Sequence, residues 1–218
     1  MRLIIIGAGG FGREVLAWAE HACKAGSIEP EGEWTIGGFL DNNLEALSGF
    51  ETGYPILSSI AEYSPGPDDW FVIAMGRPDV RLNLAQDLES RGFRFARLIH
   101  PTAIVGPRVK VGHGSILCPF SVVTADVTIG SHVILNVHST VGHDSTVGSG
   151  CTVNGFAEVT GRCGIGMGVH MGTHASVIPG CKVGDFAVIG AGSTVIKNVP
   201  CRATVFGVPA TRLFDAGE

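Results

Sequence analysis

The sequence is short of charge, of paired cysteine motifs and of long apolar runs. Only 16% of its 218 residues are charged, and the formal net charge is −5. That balance argues against a general nucleic-acid or membrane-surface role. No apolar run reaches 18 residues, so no membrane-spanning helix is expected. The opening "MRLIIIGAGGFG" ends in a glycine fingerprint rather than a cleavage site, so it reads as a strand and not as a signal peptide. The six cysteines are scattered without a C-x-x-C pair. No zinc signature is present and no metal is expected; a reduced, cytoplasmic chain is the simplest reading. Long Pro/Gly/Ser tracts are also missing, which excludes extended low-complexity disorder. What the chain does have is 45% hydrophobic residues and 32 glycines.

Residues 1–100 alternate strand and helix patterns. "LIII" (3–6), "WTIGGFLD" (34–41) and "WFVIAMG" (70–76) read as buried strands. Residues 13–25 have helical spacing, with Val15, Leu16, Trp18, Ala19 and Ala22 on one face. A short Ser-capped helix is expected near 58–63, and another over 78–91 with Pro78 in its first turn. This alternation predicts an α/β, Rossmann-like domain with a parallel sheet.

From about residue 101 a six-residue period takes over. Stepping by six from Val105 to Val195 meets sixteen positions, all aliphatic or Met. Two residues before each stands a small or β-branched residue, and the residue after each is often Gly, as in Gly106, Gly142 and Gly184. Such a period fits neither 3.6 nor simple alternation. It fits a short strand and a turn, repeated, with the glycines supplying special turn angles. The prediction is a β-solenoid whose units are stable only by stacking.

The pattern resembles the hexapeptide-repeat acyltransferases, in which three hexapeptides make one triangular coil of a left-handed parallel β-helix. Sixteen repeats then give a little over five coils. In 18-residue coils His143 sits at an outward corner, in the column Pro107, Ala125, His143, Gly161, Pro179. A glycine above an imidazole leaves a bare backbone N–H and room for a ligand, which suits a base with an oxyanion donor. Corner histidines are also common as plain solvated residues. His138 and His174, which share a column with Phe120 and Phe156, read as packing or surface residues.

Three stretches carry a narrower resemblance: "NVHSTVGHDSTVG" (136–148), "GAGGFGREV" (7–15) and "GFLDNN" (38–43). Together they look like the sugar-nucleotide acetyltransferases of the sialic acid, bacillosamine and perosamine type, over nearly the whole chain. The resemblance implies His143 as general base, Asp144 as its partner, Gly161 as oxyanion amide and Asn136 as a further catalytic residue. Asn136 could equally form a turn ladder with Asn154. Some relatives carry a second His where this chain has Thr152.

The N-terminal Gly7-Ala8-Gly9-Gly10-Phe11-Gly12 satisfies G-x-G-x-x-G between a strand and a helix. Alone, it reads as a dinucleotide site with Asp41 as ribose ligand, or as glycines that merely allow close packing. The resemblance implies instead a nucleotide-sugar site. Gly9, Gly10, Phe11 and Arg13 would lie near the phosphates, Asp41 and Asn42 at the base or ribose, and Gly76 and Arg77 at the sheet's carboxyl edge. "GVPA" (207–210) resembles the exit motif of such enzymes. By the same resemblance Thr173, Ala191, Lys197 and Pro209 would line the coenzyme A site, and Arg202 and Arg212 are either phosphate partners or surface charges.

The expected organisation is therefore a nucleotide-sugar domain over 1–100, a β-helix over 101–196, and an exit loop and tail over 197–218. The expected reaction is acetyl transfer from acetyl-CoA to the amino group of a nucleotide-linked 4-amino-deoxysugar, in a homotrimer with sites between neighbours. O-acetylation of a sugar or sialic acid is the alternative, and a non-catalytic nucleotide-binding scaffold a third.

Overall fold

The computed structural model describes residues 1–215. The chain opens with β1 (Arg2–Ile6), α1 (Gly10–Ala25), β2 (Ile28–Glu29), β3 (Thr35–Leu40), β4 (Ile56–Ser58), β5 (Asp69–Ile73), α2 (Pro78–Ser90) and β6 (Arg97–Ile99). A parallel sheet runs in the order β4-β3-β1-β5. β1 and β5 are near-continuous apolar runs because both faces of the sheet are covered there. Val15, Ala19 and Ala22 of α1 lie on one side; Ala85 and Leu88 of α2 lie on the other.

The helix expected near 58–63 does not form. Ser59 does make the reciprocal cap with Glu62: its hydroxyl donates to the carboxylate at 2.7 Å and accepts the Glu62 N–H at 3.3 Å. Only one turn follows, because the preceding residues 56–58 are extended as β4 on the sheet edge.

From Ile104 to Val195 the chain is a parallel β-helix of sixteen two-residue strands. They form three faces, and up to the last coil each strand pairs with the one 18 residues on: Val123 with Val141, Ile129 with Val147, Leu135 with Val153. We call the faces first (from 104–105), second (from 110–111) and third (from 116–117), and number each edge after the face it follows. The aliphatic column is buried from Leu117 to Val195; only Val105 and Val111, in the end coil, are not. The small positions are buried with it, and three of them are Cys151, Cys163 and Cys181.

The glycines after the aliphatic residues serve another purpose than expected. The left-handed conformation falls two residues later, at Arg108, Phe120, Asp126, His132, His138 and Asp144, with φ between 55 and 60°. Gly142 and its equivalents lie instead where successive coils touch. A Cβ on Gly142 would stand 2.6 Å from the Thr160 carbonyl carbon and 2.7 Å from the Gly161 nitrogen.

The two parts share one sheet and one core. β6 stacks in register on 116–117 of the third face, so the solenoid's sheet starts before residue 101. The outward Ile116 and Ile134 of that face pack against Val15, Ala19 and Leu98. At the far end the segment expected as an exit loop holds two strands. Residues 203–206 continue the third face on 188–189 and pair antiparallel with 211–215.

Candidate active site

His143 and Asp144 occupy the first edge. The inward Val141 and Ser145 on either side fix the chain there, and both are buried. Ser145 Oγ donates to the Thr160 carbonyl at 2.9 Å and accepts the Cys163 N–H at 3.0 Å, which ties this edge to the next coil. Asp144 takes the left-handed turn position at φ 58°, which a short polar side chain tolerates. There its carboxylate reaches back to its neighbour, and His143 Nδ1 lies 2.8 Å from Asp144 Oδ2. A carboxylate only accepts, so Nδ1 carries the proton, which makes Nε2 the acceptor position of the neutral imidazole. Both side chains are more than half exposed, at 57% and 56%. One coil below, Asp126 is engaged by Arg108 through two bonds of 2.5 and 2.7 Å, so the nearest carboxylate of the column is already paired.

The imidazole lies against Gly161. A Cβ there would meet Nε2 at 2.6 Å and Cε1 at 2.8 Å. The glycine therefore makes room for the ring, while its N–H has no hydrogen-bond partner among the described residues. Asn136 stands on the third edge. Its Oδ1 accepts the Val137 N–H at 2.7 Å, closing its own turn. Asn154 bonds instead to His170 Nε2 at 3.1 Å and to the Met171 carbonyl at 2.8 Å, so no Asn136–Asn154 bond forms among the described residues.

Thr152 joins the two parts of the molecule. Its buried hydroxyl donates to the Gly76 carbonyl at 2.8 Å and accepts from Arg81 Nη2 at 2.8 Å. Arg81, fully buried, also donates to the carbonyls of His132 (2.9 Å), Gly150 (2.7 Å), Cys151 (3.0 Å) and Met75. Burial pushes this guanidinium down to about 10. Sequence reading missed Arg81, although Pro78, Arg81, Ala85 and Leu88 are the buried residues of α2 and recur at helical spacing.

The glycine loop lies at the carboxyl edge of the sheet, beside β1, where strand order reverses. Two of its glycines answer to packing. Gly7 has φ 101°, and a Cβ on Gly12 would come within 1.9 Å of the Gly7 carbonyl oxygen. A Cβ on Gly9 or Gly10 would meet nothing within 4 Å, and both residues are exposed at the start of α1. Space and unpaired helix N–H groups thus coincide there. Phe11 packs edge-on to Trp18.

The other expected ligands are engaged within the chain. Asp41 accepts the N–H groups of Ala8 and Asn43, each at 2.8 Å, and so braces the glycine loop. Asn42 Oδ1 accepts the Ile60 N–H at 3.2 Å. The Arg13 guanidinium stacks 3.6 Å from the Phe50 ring centroid. Arg77 forms a forked pair with Asp79 at 2.5 and 3.2 Å, exposed beside Gly76.

The residues expected around coenzyme A fall on two edges. Thr173 and Ala191 are exposed neighbours on the third edge, where the Thr173 carbonyl accepts the Gly192 N–H. Lys197 is exposed and continues the His143 column on the first edge. Pro209 is exposed in the turn before Ala210, whose N–H donates to the Thr194 carbonyl at 2.8 Å. Arg202 lies 5.3 Å from the Phe186 ring, away from both groups.

No described helix is long and apolar enough to cross a membrane. No curated protein matches the chain. Residues 2–88 match the family model described as "PglD N-terminal domain". PerB from Caulobacter crescentus, solved with CoA and GDP-perosamine, is 27% identical, with 98% of each chain covered and a TM-score of 0.87. The acetyltransferase domain of PglB from Neisseria gonorrhoeae is 30% identical, covering 97% of this chain and 99% of that one, with a TM-score of 0.86. It has also been solved with acetyl coenzyme A. With that identity over almost the whole of both chains, this chain belongs to the sugar-nucleotide hexapeptide-repeat acetyltransferase family of the bacillosamine and perosamine type.

Proposed function

We propose that the protein transfers the acetyl group of acetyl-CoA to the amino group of a nucleotide-linked 4-amino-deoxysugar. The observation that carries this reading is the orientation of His143. Asp144 takes up Nδ1, and Nε2 lies over Gly161, whose N–H has no partner among the described residues. A neutral amine attacks the thioester carbonyl while Nε2 takes its proton. The tetrahedral oxyanion gains the Gly161 N–H, and Asp144 offsets the charge of the imidazolium. Collapse breaks the C–S bond, and the imidazolium returns a proton to the departing thiolate. No Ser or Cys side chain makes a hydrogen bond to the imidazole among the described residues, which supports direct transfer over a covalent enzyme intermediate.

The nucleotide end is assigned to the carboxyl edge of the parallel sheet. Gly9, Gly10 and Phe11 offer backbone N–H groups to the phosphates, with Gly76 and Arg77 across the crevice. Asp41 acts there through the loop it braces, and Arg13 through its hold on Phe50. Thr173, Ala191 and Pro209 are assigned to the pantetheine arm and Lys197 to a coenzyme phosphate. Because Thr173 and Ala191 sit on the third edge and His143 on the first, a complete site needs neighbouring copies side by side. A homotrimer of parallel prisms supplies this, and it would also shelter a base that is half exposed in the single chain.

His143→Ala should lower turnover at least ~100-fold while acetyl-CoA still binds; near-normal turnover would refute the assignment. Coenzyme A release with a panel of nucleotide 4-amino sugars, against sugars offering only hydroxyls, separates N- from O-acetylation.

A further inference from the structure

A second cluster of titratable side chains lies on the second edge, away from His143. Glu89, in the last turn of α2, points its Oε1 at two imidazoles of the solenoid. His113 Nε2 stands 2.8 Å from it and His132 Nε2 3.0 Å. The three donor atoms lie within 4.8 Å of one another. The three residues are distant in sequence: Glu89 and His113 are 24 apart, and Glu89 and His132 are 43 apart. The coil geometry brings them together. His113 occupies the outward turn of one coil, and His132 the left-handed turn position of the next.

We propose that Glu89, His113 and His132 form a binding site for a zinc-like divalent transition metal that staples α2 to the β-helix. Two imidazole nitrogens and one carboxylate are a donor set for zinc, with the fourth position left to water. Bond lengths near ~2.0–2.1 Å at tetrahedral angles put donors about 3.3 Å apart. The two carboxylate–imidazole separations reach that by opening a few tenths of an ångström, and the two imidazole nitrogens, within 4.8 Å of each other, settle to the same spacing, which exposed Glu89 and His113 allow. Support around the ligands is present. Ser131 Oγ lies 3.2 Å from His113 Nδ1 and fixes the ring with Nε2 toward the cluster. His132 is held at 3% exposure by an edge contact with Phe95 and by the close approach of Gly114. Its Nδ1 has no partner among the described residues, a cost the cluster carries with or without a metal.

There is also a way in. A cavity of about 320 Å³ opens onto the cluster, lined in part by Asn83, Gln86, Ser131 and Ser149, whose polar side chains can hold a metal-bound water. The role is structural, since the cluster and His143 sit on different edges of the prism. Bound metal would reinforce the junction that Arg81 makes about two helical turns earlier in α2.

The test uses the full chain, free of any affinity tag and stripped with a chelator, titrated with zinc in competition with a chromogenic chelator. The expected result is one equivalent per chain and a rise in Tm of about 5 °C or more at saturating zinc. Glu89→Gln and His113→Ala, both at exposed positions, should each weaken binding by ~100-fold or more. His143→Ala should bind zinc as the unmodified chain does. Cobalt should give the intense visible absorption of a tetrahedral site, lost in the same two variants. Absence of stoichiometric binding, or equal binding by Glu89→Gln and His113→Ala, would overturn the proposal.

Discussion

Gly161→Ala separates two reasons for a glycine above His143. An alanine keeps the backbone N–H, so a residue needed only as an oxyanion donor would tolerate the change. The structure gives the other reason. The new methyl carbon would lie 2.6 Å from Nε2, against 3.4 Å for ordinary contact, so the imidazole must retreat by roughly 0.8 Å. His143 is 57% exposed and can swing outward, and Gly161 has no left-handed φ to strain an alanine. The stability cost should therefore stay below about 1 kcal/mol. The catalytic cost is larger, because a base displaced by about 1 Å costs on the order of 100-fold, or about 2.7 kcal/mol of barrier.

The assay is steady-state coenzyme A release alongside thermal melting. Turnover should fall by ~30–100-fold with Tm nearly unchanged. Gly142→Ala is the counterpart, since its methyl group would strike the backbone of the next coil at 2.6–2.7 Å. Those atoms cannot move without parting the coils, so Tm should drop by several degrees, in line with about 1–3 kcal/mol for overpacking. Wild-type turnover in Gly161→Ala would refute the steric reasoning and leave this position only its backbone N–H, which alanine supplies equally well.

Arg81→Met should cost about 3 kcal/mol and lower Tm by roughly 10 °C, because buried carbonyls and the Thr152 hydroxyl lose their donor. Arg81→Lys should not rescue it, since one ammonium cannot reach acceptors spread around a guanidinium; a melt that matches the parent chain would refute the junction. Asp69, buried, accepts from Arg2 Nε (2.7 Å), the Tyr63 hydroxyl (2.8 Å) and the Gly66 N–H (2.8 Å). Burial pushes its carboxyl up, but those three donors prevail and hold it below the ordinary Asp value. Its contribution is therefore complete above about pH 4 and is lost as pH falls through the depressed folded value. Melting curves from pH 5 down to pH 2.5 should show a shallower acid slope in Asp69→Asn, and parallel slopes would count against this origin.

Much of the fold is legible because the solenoid writes its geometry six residues at a time. A column of aliphatic residues with small partners has one inward solution, and the structure buries both from Leu117 onward. The His143–Asp144 pair is legible for the same reason, since the period assigns both to an outward turn. What the period cannot report is how neighbouring coils and a second domain use the outward positions. Gly142 is a glycine for interatomic distance rather than φ, and only the 18-residue neighbour reveals it. Asp41 stands where a ribose ligand is expected, yet its oxygens brace Ala8 and Asn43, a choice made by loop conformation. Thr152 and Arg81 meet across 71 residues of sequence, which no local pattern encodes.

The three edges of the prism carry different chemistry, and that division explains why the single chain looks incomplete. The first edge has His143 with Asp144 and the Arg108–Asp126 pair. The second is taken by α2 through Arg81 and Glu89. The third carries a ladder of exposed rings, Phe120, His138, Phe156 and His174, stacked 4.7–4.9 Å apart and within 15° of parallel. The turn residues of that edge are thus aromatic and flat where those of the first are charged. The ladder alternates phenyl and imidazole edges, and its apolar members Phe120 and Phe156 remain half exposed in one copy. Apolar surface of that kind is stabilised by being covered, and the edge that bears it also bears Asn136, Thr173 and Ala191. The simplest way to cover the ladder and to bring those residues to a base is one and the same contact, the third edge of one copy against the first edge of the next. Catalysis and assembly would then rest on the same turns of the chain, and substitutions in the ladder would lower activity and trimer content together.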